Sequence, residues 1–164
     1  MSFRVVGALA AVVLLLTGCS AKAEPAASPG RLPDVTLRSL DGGSSLALSS
    51  LRGPAVVNLW ASWCGPCRRE LPLYQAFAKK YSGKVDVIGI DFQDTQKARA
   101  RELIRQTGVT YPLYEDPDGV TRARGLPQLI LVDGQGHRAF EQYVEITSVA
   151  QLEQLVEKHL GTPS

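Results

Sequence analysis

The segment Ala55-Val56-Val57-Asn58-Leu59-Trp60-Ala61 is almost unbroken in apolar side chains, with Asn58 the one polar intruder. A run of this kind predicts a central parallel strand covered on both faces. Three residues later comes Cys64-Gly65-Pro66-Cys67, and from there Cys67, Leu71, Tyr74 and Ala78 recur at helical spacing to about Tyr81. One stripe of the helix therefore faces inward, and Cys67 lies on it. A C-x-x-C pair between a buried strand and a helix is the context that makes this spacing specific for redox chemistry. Pro72 falls inside the helix and predicts a bend near Arg68, and Gly83 marks the exit.

The remaining pattern extends this unit. Val35 to Leu40 and Leu46 to Leu48, separated by Asp41-Gly42-Gly43-Ser44, predict a short β-hairpin. Val85 to Asp91 reads as a second buried strand and Thr95 to Gln106 as a helix closed by Gly108. Gln128 to Asp133 and Arg138 to Glu145 read as a hairpin turning at Gly134-Gln135-Gly136. Ser148 to Leu160 reads as a last helix with Val149, Leu152, Leu155 and Val156 on one side. The expected class is α/β, a central mixed sheet flanked by helices on both faces with an N-terminal hairpin extension.

The first thirty residues read differently. One cation in Met1 to Arg4 precedes an apolar run from Val5 to Leu16, which is shorter than the roughly 20 residues a membrane-spanning helix needs. Leu16-Thr17-Gly18-Cys19 follows and resembles a bacterial lipobox. That resemblance implies a signal peptide over residues 1–18, cleavage before Cys19, and lipidation of its sulfur, which holds the protein to the cell membrane from outside the cytoplasm. An ordinary cleaved signal is the alternative. Residues 19–30 contain two prolines and no large apolar side chain, as expected of a flexible spacer, so the folded domain is expected over 31–164.

The cysteine pair carries the chemistry. A thiolate is the attacking species in disulfide exchange, and a helix N-terminus stabilises it with unpaired amides and about half a positive charge. Cys64 sits at that end and is expected to attack; Cys67, one turn deeper, is expected to resolve the mixed disulfide. Pro66 presets the backbone of the first turn. Arg68 and Arg69 can add positive potential, though a solvated helix face explains Arg69 as well. Zinc would need two further ligands; Cys19 is taken up by lipid, and His137 and His159 stand apart in sequence. No metal or other cofactor is expected, since nucleotide loop, serine elbow and H-E-x-x-H are all missing. Eighteen basic against sixteen acidic residues, with no basic run longer than a pair, give nucleic-acid binding no support.

Trp60-Ala61-Ser62-Trp63-Cys64-Gly65-Pro66-Cys67 resembles the active-site segment of thioredoxins, and Pro72 falls where that family also places a proline. Leu32-Pro33-Asp34, Leu51-Arg52-Gly53-Pro54 and Gly125-Leu126-Pro127 resemble the membrane-anchored TlpA/ResA type over about residues 31 to 160. The resemblance implies a thioredoxin fold and thiol-disulfide oxidoreductase activity, with Cys64 and Cys67 as the redox disulfide supported by Trp63, Gly65 and Pro66. It also implies a cis Leu126-Pro127 bond whose Leu126 backbone pairs with an extended substrate; from the residues alone this reads as an ordinary turn. Asn58 stands where thioredoxins carry a buried acid. Glu70, one turn after Cys67, matches a glutamate of ResA-type proteins and is the candidate proton acceptor, a solvated helix residue being the alternative.

Expected partners are protein thiols and disulfides, apocytochrome c among them, and a membrane thiol-disulfide donor, with the chain acting as a monomer. The implied direction is reduction; the alternative is an oxidant that introduces disulfides into secreted proteins. Peroxidases of the related peroxiredoxin type set their cysteine in Pro-x-x-x-Thr-x-x-Cys, whereas Trp60 and Ala61 stand ahead of Cys64 here. A lipoprotein that only binds is the remaining class.

Overall fold

A computed structural model of the protein describes residues 30–161. The expected signal peptide, linker and Cys19 lipidation lie outside the described residues, save for Gly30.

One seven-stranded sheet runs β2-β1-β5-β4-β3-β6-β7. An interior strand of it is β3 (Ala55–Trp60), every residue of which is buried. It pairs parallel with β4 (Asp86–Phe92) and antiparallel with β6 (Gln128–Val132). Such a strand has no solvated face, which is why its sequence shows no alternation. The predicted hairpin exists as β1 (Thr36–Ser39) and β2 (Leu46–Ala47), and β7 (Arg138–Tyr143) completes the far edge.

One strand has no counterpart in the sequence reading. Leu113–Asp116 forms β5, parallel to β4 and antiparallel to β1, and so joins the hairpin extension to the main sheet. Four residues ending in two carboxylates and following a proline carry little strand signal by themselves. Their pairing partners supply it.

Alternation along the strands divides the core in two. Val56, Trp60, Leu129 and Leu131 point to the side where α1 (Gly65–Lys80), α2 (Lys97–Thr107) and α3 (Val149–Leu160) pack, through Leu71, Tyr74, Phe77, Ala100, Leu152 and Val156. Val57, Leu59, Ile88, Ile90 and Ile130 point to the other side. No α-helical side chain belongs to this second cluster. It is closed by Leu32, by Leu37 of β1, by Leu48 in a single 3-10 turn (Leu48–Ser50), and by Ala123 and Leu126. Helical structure thus flanks both faces, but on the second it is reduced to that one turn.

Helix ends follow local rules. Gly108 closes α2 in the left-handed region at φ 66°, and the Ser148 side chain accepts the Gln151 amide to open α3. Pro72 is inside α1, which remains one helix of 16 residues through it.

Candidate active site

Strand β3 ends at Trp60, and the chain turns through Ala61-Ser62-Trp63 into α1. Cys64 is the N-cap residue, with extended backbone (φ −82°, ψ 108°), and its Sγ accepts the Cys67 amide at 3.3 Å. Pro66 occupies the first turn, where its missing N–H costs nothing. The sulfur is thus itself the helix cap, placed where the amides of the first turn converge. Cys64 and Cys67 are joined in a disulfide with Cα atoms 5.3 Å apart. Both cysteines are buried, Cys64 at 5% exposure and Cys67 at 1% on the inward stripe, and Trp63, 47% exposed, stands outside the pair.

The turn that presents Cys64 is held from the neighbouring strand. Asp94, just beyond β4, accepts the buried Ser62 amide through Oδ2 at 2.6 Å and the Gln96 amide through Oδ1 at 2.8 Å. Asp91, at the end of β4 and in register with Trp60, is buried on the helix-bearing side. Burial first, then the adjacent Asp94 carboxylate, pushes its pKa up to about 8. Glu115 pushes the same way and Lys97 opposes. Sequence reading missed this pair of acids and Ser62 with it. A strand ending in Asp-Phe-Gln-Asp carries no signal that its carboxylates will meet a turn 32 residues earlier.

Glu70 is not a solvated helix residue: it is 2% exposed, and its Oε1 accepts the Ile146 amide ahead of α3. Burial raises its pKa to about 7, with Glu145 adding to the rise while the Ile146 amide and Arg69 lower it. Arg69 in turn pairs with Glu145 at 2.7 Å, so two successive residues of α1 grip the segment between β7 and α3. Tyr74 and Tyr111, both deeply buried, have phenols held well above their usual pKa by burial, with Glu70 contributing. Asn58 is buried on β3, and its Oδ1 lacks a hydrogen-bond partner among the described residues. Gly89 opposite leaves the space that Asn58 and Trp60 use: a Cβ there would lie 3.1 Å from both Asn58 Oδ1 and Trp60 Nε1.

The Leu126-Pro127 bond is cis, directly before β6. Leu126 packs against the cluster that contains Cys64 and Cys67. A second cis bond, Gly53-Pro54, precedes β3 and was not foreseen. The two histidines lie elsewhere: His137 is on the β6–β7 turn, 3.5 Å from Asp133, and the His159 ring stacks at 4.5 Å on Phe140. Among the described residues no group of three or more His, Cys, Asp or Glu side chains is placed to hold a metal, and no helix is long and apolar enough to cross a membrane.

Residues 30–137 match the model of the AhpC/TSA family. The chain belongs to the AhpC/TSA family. This AhpC/TSA member is also 30% identical over 132 residues to the thiol-disulfide oxidoreductase ResA of Bacillus thuringiensis, covering 77% of this chain and 75% of that one. It is 30% identical over 110 residues to the thioredoxin-like protein YneN of Bacillus subtilis, a match that spans 63% of this chain and 64% of YneN. Among solved structures, a putative protein disulfide isomerase from Bacteroides thetaiotaomicron superposes with a TM-score of 0.67 at 31% identity, over 81% of this chain and 89% of that one. The AhpC/TSA chain is accordingly a thioredoxin-like thiol-disulfide oxidoreductase of the ResA type.

Proposed function

We infer that the protein acts outside the cytoplasm, tethered by lipid on Cys19, and reduces disulfides in other proteins, with Cys64 attacking and Cys67 resolving. The observation that carries this reading is the capped sulfur: Cys64 Sγ takes the Cys67 amide at the tip of α1, with its bonded partner buried one turn below. Amides and helix dipole favour the thiolate at Cys64, while Cys67, buried as Cys64 is but one turn further from the helix tip, lacks that stabilisation.

In the reducing direction the Cys64 thiolate attacks a substrate disulfide, forms a Cys64–substrate bond and releases one substrate thiolate. Cys67 loses its proton and attacks Cys64 Sγ, which releases the second substrate thiol and regenerates the internal disulfide. Two electrons pass from the protein to the substrate, and a membrane dithiol donor restores them. Glu70, with a pKa near 7 and one turn from Cys67, serves as the proton acceptor, a task Asn58 cannot perform. Leu126 offers its backbone to the substrate chain. Apocytochrome c is the substrate that the ResA-type resemblance implies.

The reading is supported by the likeness to ResA and by the Gly65-Pro66 pair between the cysteines, which is that of thioredoxins. A Cys67→Ala variant should accumulate mixed disulfides through Cys64, whereas Cys64→Ala should trap nothing; the reverse pattern overturns the assigned roles. The potential tests direction, since thioredoxin lies near about −270 mV and the oxidant DsbA near about −120 mV. A value near the second replaces the reductant by an oxidant. Peroxide turnover is not expected, because Val57 and Ala61 stand where the peroxidatic setting needs proline and threonine. Loss of membrane association in a Cys19→Ser variant tests the tether.

A further inference from the structure

On the sheet face that lacks an α-helix, distant stretches of chain bring four arginines together. Arg31 comes from the N-terminal segment, Arg122 and Arg124 from the loop before β6, and Arg138 from β7; with Tyr143 they line a cleft of ≈ 650 Å³. Arg138 pairs with Glu141 at 2.7 Å. The other three are exposed and make no ion pair among the described residues, so the cleft carries a surplus of cations that concentrates its field on an incoming anion.

The cleft is joined through the backbone to Leu126, which packs against the cluster that contains Cys64 and Cys67. Tyr143 Oη accepts the Arg124 amide at 2.7 Å, and the chain then runs through Gly125 into the cis Leu126-Pro127 peptide. Gln128, the next residue, forms part of the cleft wall and is 3% exposed. Its Nε2 donates to Glu141 at 2.6 Å, while its Oε1 has no partner among the described residues.

We propose that this cleft selects polypeptide substrates that carry acidic side chains close to the reacting cysteine. The proposal rests on the oxidoreductase reading, in which an extended substrate lies along Leu126. Arg124 is two residues from Leu126, and an extended chain advances about 3.3 Å per residue. The acidic side chains are therefore about two to four positions from the substrate cysteine. A polypeptide fits better than a lipid headgroup because the cleft sets the exposed carboxylate of Glu141, an acceptor, among its arginine donors. A peptide brings amide N–H groups as well as carboxylates; an anionic headgroup brings acceptors for the arginines alone.

The test compares exchange rates of the full chain with three disulfides: a peptide with aspartates about two to four positions from its disulfide-bonded cysteine, the same peptide with asparagines, and neutral hydroxyethyl disulfide. The aspartate peptide should react roughly 3- to 10-fold faster than the asparagine peptide, as a few partly exposed ion pairs provide. That ratio should fall to near one in an Arg122→Gln, Arg124→Gln variant, with the hydroxyethyl disulfide rate unchanged. Equal peptide rates alongside normal turnover of hydroxyethyl disulfide overturn the cleft's role and leave the oxidoreductase reading standing. Failure of the unaltered protein with all three disulfides overturns that reading, and this proposal with it. Equal peptide rates together with loss of binding to phosphatidylglycerol vesicles in the variant make the cleft a membrane surface instead.

Discussion

The Ser62 amide donates to Asp94 Oδ2 at 2.6 Å, so the residue two positions before Cys64 is fixed by a carboxylate from the end of the neighbouring strand. Removing that acceptor leaves a buried N–H unpaired, which costs about 1–3 kcal/mol. Asp94→Ala is therefore expected to lower stability by about that amount in urea denaturation. It should also slow disulfide exchange through Cys64, whose presenting turn loses its anchor.

Glu70 and Asp91 set the pH dependence of stability. Their folded pKa values, about 7 and about 8, lie above the ordinary 4.5 and 3.8, so the folded chain holds protons that the unfolded chain has released. Stability must then fall as pH rises through those windows and stay low above them. Glu70→Gln should flatten the fall between pH 4.5 and 7 and keep an oxygen for the Ile146 amide, whereas Asp91→Asn should flatten it between 3.8 and 8. Denaturation of each variant at pH 5 and pH 9 checks the sign.

After reduction, iodoacetamide should label Cys64 at least about ten times faster than Cys67, because the helix tip favours the thiolate of the first, and the second, 1% exposed against 5% for Cys64, lies one turn deeper. Mass spectrometry of the singly labelled protein reads the ratio. Comparable labelling would remove the basis for separate attacking and resolving roles.

Gly89→Ala is expected to be destabilising by about 1–3 kcal/mol through overpacking. Its Cβ would lie 2.5 Å from Leu113 Cδ2, besides crowding Asn58 and Trp60. A thermal melt reads the loss, and a neutral result would mean that Leu113 has room to move.

The redox unit was legible because its signals are local. A buried strand announces itself by an unbroken apolar run, the helix by its spacing, and the cysteine pair by standing between them. The resemblance to thioredoxins and the TlpA/ResA type supplied what the residues alone did not, namely the cis bond at Pro127 and an interest in Glu70. Arg69 shows the limit of local reading: two adjacent arginines look alike in sequence, yet Arg69 grips Glu145 at 2.7 Å.

By itself the sequence determined the order of most elements, the two cysteines and their place at a helix tip, since each depends on neighbours within a few residues. Only the tertiary structure decided that β5 is a strand, that Asp94 clamps the Ser62 amide, that Glu70 is buried against Ile146, and that four arginines share one cleft. The physical reason is the same in each case: pairing, desolvation and charge clustering depend on distance in space, and these groups meet across 32 positions for Ser62 and Asp94 and 76 for Glu70 and Ile146.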